Sequence, residues 1–180
     1  MSQQASSLLK VGNTELREGE YFLHVLVEET MCLFSVDGST VNPTVKVSAF
    51  ESRKSSTSKK DISPSTNCYW GDHFHFSKSF SPSEDIRQHT VEIAVYDYRK
   101  LLRDSLIGNI AVSLSHLYYQ PEHTIKNRWF VLQNKDKDFQ QIYGYIKLSL
   151  NLASASDERV DTQADEDKSA TRELRETNRS

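Results

Sequence analysis

VEIAVYDYRKLLRDSLIG (residues 91–108) decides how the rest of the chain is read. Its first half alternates, with Val91, Ile93 and Val95 on one side and Glu92, Ala94 and Tyr96 on the other. A period of two in β-branched and aromatic residues marks a half-buried strand. A loop follows with Asp97, Tyr98, Arg99, Lys100, Leu101, Leu102, Arg103 and Asp104, and SLIGNIAVSL (105–114) resumes the strand pattern. Two acids bracket a tip of cations and leucines. A turn gains nothing from leucines in water, so the tip is expected to meet another surface.

Working outward, further segments repeat the pattern. EYFLHVLVEE (20–29) places Tyr21, Leu23, Val25 and Val27 on one face, and a loop is expected from Thr30 to Val41 around Asp37-Gly38. TVKVSAFE (44–51) opens behind Asn42-Pro43, where a proline costs little at a strand start. RKSSTSKKD (53–61) reads as a polar hairpin. Its Arg53, Lys54, Lys59 and Lys60 are either a solvated edge, which discourages sheet-to-sheet pairing, or an anion-binding patch.

WGDHFHFSKSF (70–80) alternates Phe74 and Phe76 with His73 and His75. Two histidines two apart share a strand face. Without cysteines or acids at metal spacing, they read as solvent-facing imidazoles. Residues 81–89 form a loop or a single helical turn, and Ser115 is placed to cap a short helix through HLYY that Pro121 ends. NRWFVLQN (127–134) and GYIKLSLNL (144–152) complete about eight strands. Many short strands with almost no helix predict an all-β, eight-stranded antiparallel β-sandwich, with residues 20–152 as one domain.

Composition narrows the function classes. The 180 residues carry a net charge of −3. Residues 153–180 hold 5 of the 22 cations and 8 of the 25 acids, so residues 1–152 hold 17 of each and are neutral overall. That balance predicts no nucleic-acid affinity. Residues 1–19 read as a loose leader. The tail from 153 lacks aromatic residues to offset its ordering entropy, and disorder is expected there. Two cysteines, Cys32 and Cys68, and no signal-like N-terminus point to free thiols in a reducing compartment, hence a cytoplasmic location. No run approaches the length that crosses a bilayer, so any membrane role is peripheral. Six glycines form no phosphate-cradling loop, and the scattered histidines show no triad-like arrangement with a Ser or Cys nucleophile in the coarse strand map, so no enzyme is expected.

At this point the segments carry a resemblance. NPTVKV (42–47), TNCYWGDHFHF (66–76), VYDY (95–98), SLIG (105–108), RWFVL (128–132) and GYIKLSL (144–150) together resemble a C2 domain, in that order. LYYQPEH (117–123), followed by RWFVL, a charged turn and GYIKLSL, is similar to the second C2 domain of the ferlins. The resemblance implies the circularly permuted, type II strand arrangement, and a function in membrane or phospholipid association during vesicle fusion or membrane trafficking. It also implies anionic phospholipid as partner, along with other C2 domains or fusion-machinery proteins.

In that family calcium is often held by acids on two end loops, because the ion takes six to eight hard oxygens at about 2.3–2.6 Å. Matched position by position, the resemblance leaves a degenerate calcium site of Asp37, Asn42, Asp97 and Asp104. Asn42 replaces an acid, Asp37 and Asp104 are each one residue out of register, and Arg99 stands where the next acid belongs. Calcium is therefore expected to bind weakly or not at all, with Asp97 and Asp104 pairing instead with Arg99, Arg103 or backbone amides. The lipid contact is expected at Tyr98, Arg99, Lys100, Leu101, Leu102 and Arg103, with a second basic surface of Lys46, Arg53, Lys54, Lys59 and Lys60. The rival expectation is a protein-interaction module that docks a partner by an edge strand or by Trp70 and Trp129, without lipid.

Overall fold

The computed structural model describes residues 19–137 and 140–155. The leader and tail expected from the sequence fall outside these residues, except for Gly19 and residues 153–155. Eight strands form two four-stranded sheets. In chain order they are β1 (Gly19–Met31), β2 (Pro43–Ala49), β3 (Ser52–Ser55), β4 (Cys68–Phe80), β5 (Thr90–Asp97), β6 (Ser105–Ser113), β7 (Thr124–Val131) and β8 (Tyr145–Ser154). The first sheet runs β4-β1-β8-β7 and the second β3-β2-β5-β6. Every pair is antiparallel. The eight-stranded antiparallel sandwich is the fold expected from the alternation. The last strand lies between the first and the seventh, which is the type II arrangement.

Alternation explains the core. Leu23, Val25 and Val27 of β1, Val45 and Val47 of β2, Phe74 and Phe76 of β4, Val91, Ile93 and Val95 of β5, and Leu148, Leu150 and Leu152 of β8 all turn inward. Burying an aliphatic or aromatic side chain of this size stabilises by about 1.5–3 kcal/mol, so these rows hold the two sheets face to face.

Two bulges move residues that simple alternation misplaces. Val27 pairs with Leu148 and Glu29 with Lys147, so Glu28 is an extra residue in β1. The inward face passes from odd to even positions, and the strand continues through Thr30, which the sequence assigns to a loop. Thr30 is 0% exposed, and its Oγ1 accepts a hydrogen bond from Trp70 Nε1 at 3.0 Å. Trp70 is thereby part of the core and is not the docking surface expected of it. In the second bulge Val95 pairs with Gly108 and Tyr96 with Leu106, leaving Ile107 as the extra, buried residue of β6.

The connections need two further corrections. Residues 53–61 are not a single hairpin, because Ser52–Ser55 pair with β2 as an edge strand and only the rest is loop. The short helix α1 (Leu114–Tyr118) takes Ser113, not Ser115, as its N-cap, and Ser113 Oγ bonds to Ser115 Oγ at 2.8 Å without capping a backbone N–H. Leu114 and Leu117 turn inward, and starting two residues earlier lets α1 bury both. Among the described residues no helix is long and apolar enough to cross a membrane.

Candidate functional site

Three loops gather at one end of the sandwich. The β1–β2 loop meets the β5–β6 loop through Asn42, whose N–H donates to Asp97 Oδ1 at 2.8 Å and whose carbonyl accepts from Tyr98 N–H at 2.8 Å. The β7–β8 loop joins them through the Phe34 N–H bond to the Tyr143 carbonyl at 2.9 Å. Buried Asn134 ties it further, because its side-chain amide donates to the carbonyls of Leu106 and Ile107 at 3.0 and 3.2 Å. A cleft of about 180 Å³ opens between the loops, and Asp37, Asp97, Arg99, Ser105 and Lys137 are among its lining residues.

Each candidate calcium ligand already has a protein donor. Asp37 Oδ1 accepts from Ser35 Oγ at 2.9 Å, from Ser39 N–H at 3.0 Å and from Ser39 Oγ at 2.5 Å. The Ser39 hydroxyl, then its amide and the Ser35 hydroxyl, hold the Asp37 carboxyl down to a pKa of about 2. Asp97 spends one oxygen on Asn42 and lies 3.4 Å from Arg99 Nε with the other. Asp104 Oδ2 lies 2.8 Å from Lys46 Nζ, and its carboxyl is held below the usual range by that lysine's hydrogen bond.

Asn42 Oδ1 accepts from Asp61 N–H at 2.9 Å, so that side chain serves a third segment. Asp37 and Asp97 share the cleft with Arg99, whereas Asp104 and Asn42 do not line it. Among the described residues, no group of three or more His, Cys, Asp or Glu is arranged to hold a metal ion. As a calcium site the cluster is incomplete. Its carboxylates already serve lysine, arginine, serine and backbone donors, and calcium would have to displace them.

The tip of the β5–β6 loop is different. Tyr98, Arg99, Lys100, Leu101, Leu102 and Arg103 are all exposed, Leu101 at 91% and Leu102 at 69%. The neighbouring loops contribute two apolar residues that the sequence reading missed, Val36 at 81% and Ile142 at 50% exposure. No periodicity marks either one. Val36 follows Leu33 and Phe34, and Ile142 precedes Tyr143, all of which pack on the core, so neither reads as part of the tip until the topology brings the loops to the same end.

The five cations of the second basic surface are divided. Lys46 and Arg53 share the outer face of the second sheet, since Lys46 pairs with Ser55 and Arg53 with Ser48. Lys54 lies on the inner side, with Nζ 2.5 Å from the His75 carbonyl and 5.2 Å from the Phe76 ring centroid, where it closes the gap between β3 and β4. Lys59 rests 5.3 Å above the Trp70 ring, and Lys60 is exposed.

Comparisons with known proteins agree with this geometry. The chain is 26% identical to myoferlin of Xenopus tropicalis over 121 residues, 67% of this chain, and 25% identical to human myoferlin over 170 residues, 92% of this chain. It spans only 6% and 8% of the length of those two relatives. Among solved structures, a single C2 domain of plant extended synaptotagmin 1 superposes with a TM-score of 0.55 at 20% identity, covering 77% of this chain and 97% of that one. A calcium-bound structure of two C2 domains of extended synaptotagmin 2 gives 0.57 at 18% identity, covering 83% of this chain and 48% of that one. Residues 23–132 match the C2 domain family model. With two type II sheets, a three-loop end and curated relatives of the ferlin type at distant identity, the chain belongs to the C2 domain family.

Proposed function

We propose that this chain is a non-enzymatic module that associates peripherally with anionic phospholipid membranes on the cytoplasmic side. Its three-loop end makes the contact without requiring calcium, in membrane trafficking or vesicle fusion. The observation that carries this reading is the exposure of Leu101 and Leu102 beside Arg99, Lys100 and Arg103. Each cation near an anionic leaflet contributes about 1 kcal/mol, and each leucine transferred from water adds roughly 1.5–3 kcal/mol. Val36 and Ile142 widen the apolar contact from one loop to three. The incomplete acid cluster supports calcium independence, because its carboxylates are neutralised by the protein's own cations and amides.

Co-sedimentation of the chain with vesicles of phosphatidylcholine containing phosphatidylserine, in chelator and in calcium, tests the reading. Equal binding in both, absent on pure phosphatidylcholine, is expected. No binding to either vesicle overturns it, and binding only with calcium overturns the calcium-independent part. A second reading, docking to another protein or another C2 domain, draws on Trp129 and Val131, which face outward on edge strand β7. It predicts that vesicle binding is absent.

A further inference from the structure

Far from the loop tip, three imidazoles meet on the outer face of the first sheet. His24 of β1 pairs directly across with His75 of β4, and their rings lie parallel within 1° with centroids 4.5 Å apart. The His73 ring is tilted only 8° from that of His24, and His24 Nε2 faces His73 Nδ1 at 2.9 Å. His24 is half-buried between the other two, which are exposed. The sequence presents only His73 and His75, two apart on one strand. The third imidazole arrives across the sheet.

The arrangement suits neutral rings. A neutral imidazole has one N–H and one lone pair, so a single proton lies between His24 Nε2 and His73 Nδ1. When both rings are charged, two N–H groups face each other there, and a charged His75 lies against the same His24 ring.

The surroundings do not offset that charge. The outward neighbours are Phe22 and Leu26 on β1, Ser77 on β4, and Ser149, Asn151 and Ala153 on β8. Glu20 of β1 lies opposite Ser79, Glu28 accepts from Ser149 Oγ at 3.1 Å, and Lys147 of β8 lies opposite Glu29. From β3, Lys54 brings a further cation to the His75 carbonyl at 2.5 Å. Among the described residues, no carboxylate forms an ion pair with any of the three rings.

We propose that His24, His73 and His75 form a proton-responsive latch on the seam between β1 and β4. Neutral rings clamp edge strand β4 against β1. Below about pH 6 the rings take up protons, repel one another and loosen β4 from His73 to Ser77.

This part of β4 is thinly covered. A groove of about 390 Å³ bordered by Phe22, His24, His75, Ser77 and Asn151 lies on its β1 side, and one of about 200 Å³ bordered by Phe50, Ser52, Lys54, His75 and Ser77 lies toward β3. Phe74 and Phe76 are buried on the inner face of the same segment, so loosening it uncovers the core. Burial, then charge on His75 and His73, holds the His24 pKa below its ordinary value. The unfolded chain therefore takes the proton first, near pH 6.5. The latch's contribution to stability is complete above that pH and is lost as pH falls through it toward the folded value.

The test is amide exchange of the full chain at about pH 7.5 and about pH 5.5, read as protection factors so that the intrinsic pH dependence of exchange cancels. Protection from Phe22 to Leu26 and from His73 to Ser77 is expected to fall at least about 10-fold at the lower pH relative to β5 and β6, the equivalent of one pKa unit. In an NMR titration the His24, His73 and His75 ring signals are expected to move together over a broadened pH range, whereas His89, His116 and His123 follow single-proton curves. His24→Gln removes the middle ring, and its seam is expected to keep equal protection at both pH values. No fall at the seam, or a uniform fall over both sheets, overturns the proposal. So do single-proton curves at His24 and His73, or a His24→Gln chain that loses protection at the seam as the parent does. The parent's exchange map and titration need no substitution, so they decide even where the variant folds poorly.

Discussion

Lys46 of β2 crosses the outer face of the second sheet to place Nζ 2.8 Å from Asp104 Oδ2, with the same ammonium 4.4 Å from the Tyr96 ring centroid. One lysine thereby links two features that look separate in the sequence, a basic surface and an acid at the end of the tip loop. The acid is spent on shaping the loop.

That link has a pH signature. Lys46 lowers the folded-state pKa of Asp104. An aspartate depressed on folding contributes stability above its unfolded pKa, near 3.9, and that contribution is lost as pH falls through the folded value. The pair is partly solvated and stabilises by no more than about 1 kcal/mol. Asp104→Asn is expected to lower the melting temperature slightly at pH 7, with the difference from the parent shrinking as pH falls through the depressed folded-state pKa of Asp104. Parallel melting curves from pH 7 to 2 check this, and a constant difference across the range defeats it.

The tip separates binding from stability. Leu101 and Leu102 are mostly in water, so Leu101→Ser/Leu102→Ser is expected to leave the denaturation midpoint within about 0.5 kcal/mol of the parent. On anionic vesicles the same change is expected to cost at least about 10-fold in partitioning. Arg99→Ala/Lys100→Ala/Arg103→Ala is expected to abolish the salt dependence as well, since exposed charges lose their reach as the Debye length shrinks. Unchanged partitioning of either variant removes the tip from the binding surface.

How much of this was legible in the sequence follows from the range of each interaction. Strands and inward faces rest on local alternation, so Val91, Ile93 and Val95, or Leu148 and Leu150, are readable from the residues alone. The ordered segments carried the family resemblance for the same reason. What failed depends on register. The bulge at Glu28 that turns Thr30 inward shows only against the partner strand, and His24 meets His73 only across the sheet. Asp104 is expected to pair with Arg99, Arg103 or backbone amides, and it does take a backbone hydrogen bond from Arg99, but its ion pair is with Lys46, which is 58 positions away. Val36 and Ile142 join the tip only because the topology collects three loops at one end.

Thr30 and Trp70 test the bulge directly. Trp70 Nε1–H has the Thr30 hydroxyl as its buried partner at 3.0 Å. Thr30→Val keeps the shape and removes the acceptor, leaving a desolvated donor, which costs about 1–3 kcal/mol. Thr30→Ser retains the oxygen and is expected to recover part of the loss. Chemical denaturation followed by tryptophan fluorescence measures both. Equal stability of the valine and serine variants rules out the hydrogen bond as the reason for this side chain.

Gly108 closes the stretch from Val91 and is needed for close approach, not for a left-handed conformation. A Cβ added there would sit 2.9 Å from the Leu132 Cβ and 2.9 Å from the Gln133 carbonyl oxygen, and 3.1 Å from the Tyr143 Cβ. Two of these neighbours have little freedom to yield, since Leu132 and Tyr143 are buried, the Tyr143 N–H donates to the Leu132 carbonyl, and the Leu132 N–H donates to the Gly144 carbonyl. Gly108→Ala is therefore expected to destabilise by about 1–3 kcal/mol, the usual cost of overpacking. The strain falls where β6 meets the β7–β8 loop, so the same variant is expected to speed amide exchange at Asn109 and Gln133, whose backbones bond to each other. Exchange that rises uniformly over both sheets, with none concentrated at this seam, would show that the close approach at Gly108 does not hold the third loop against the other two.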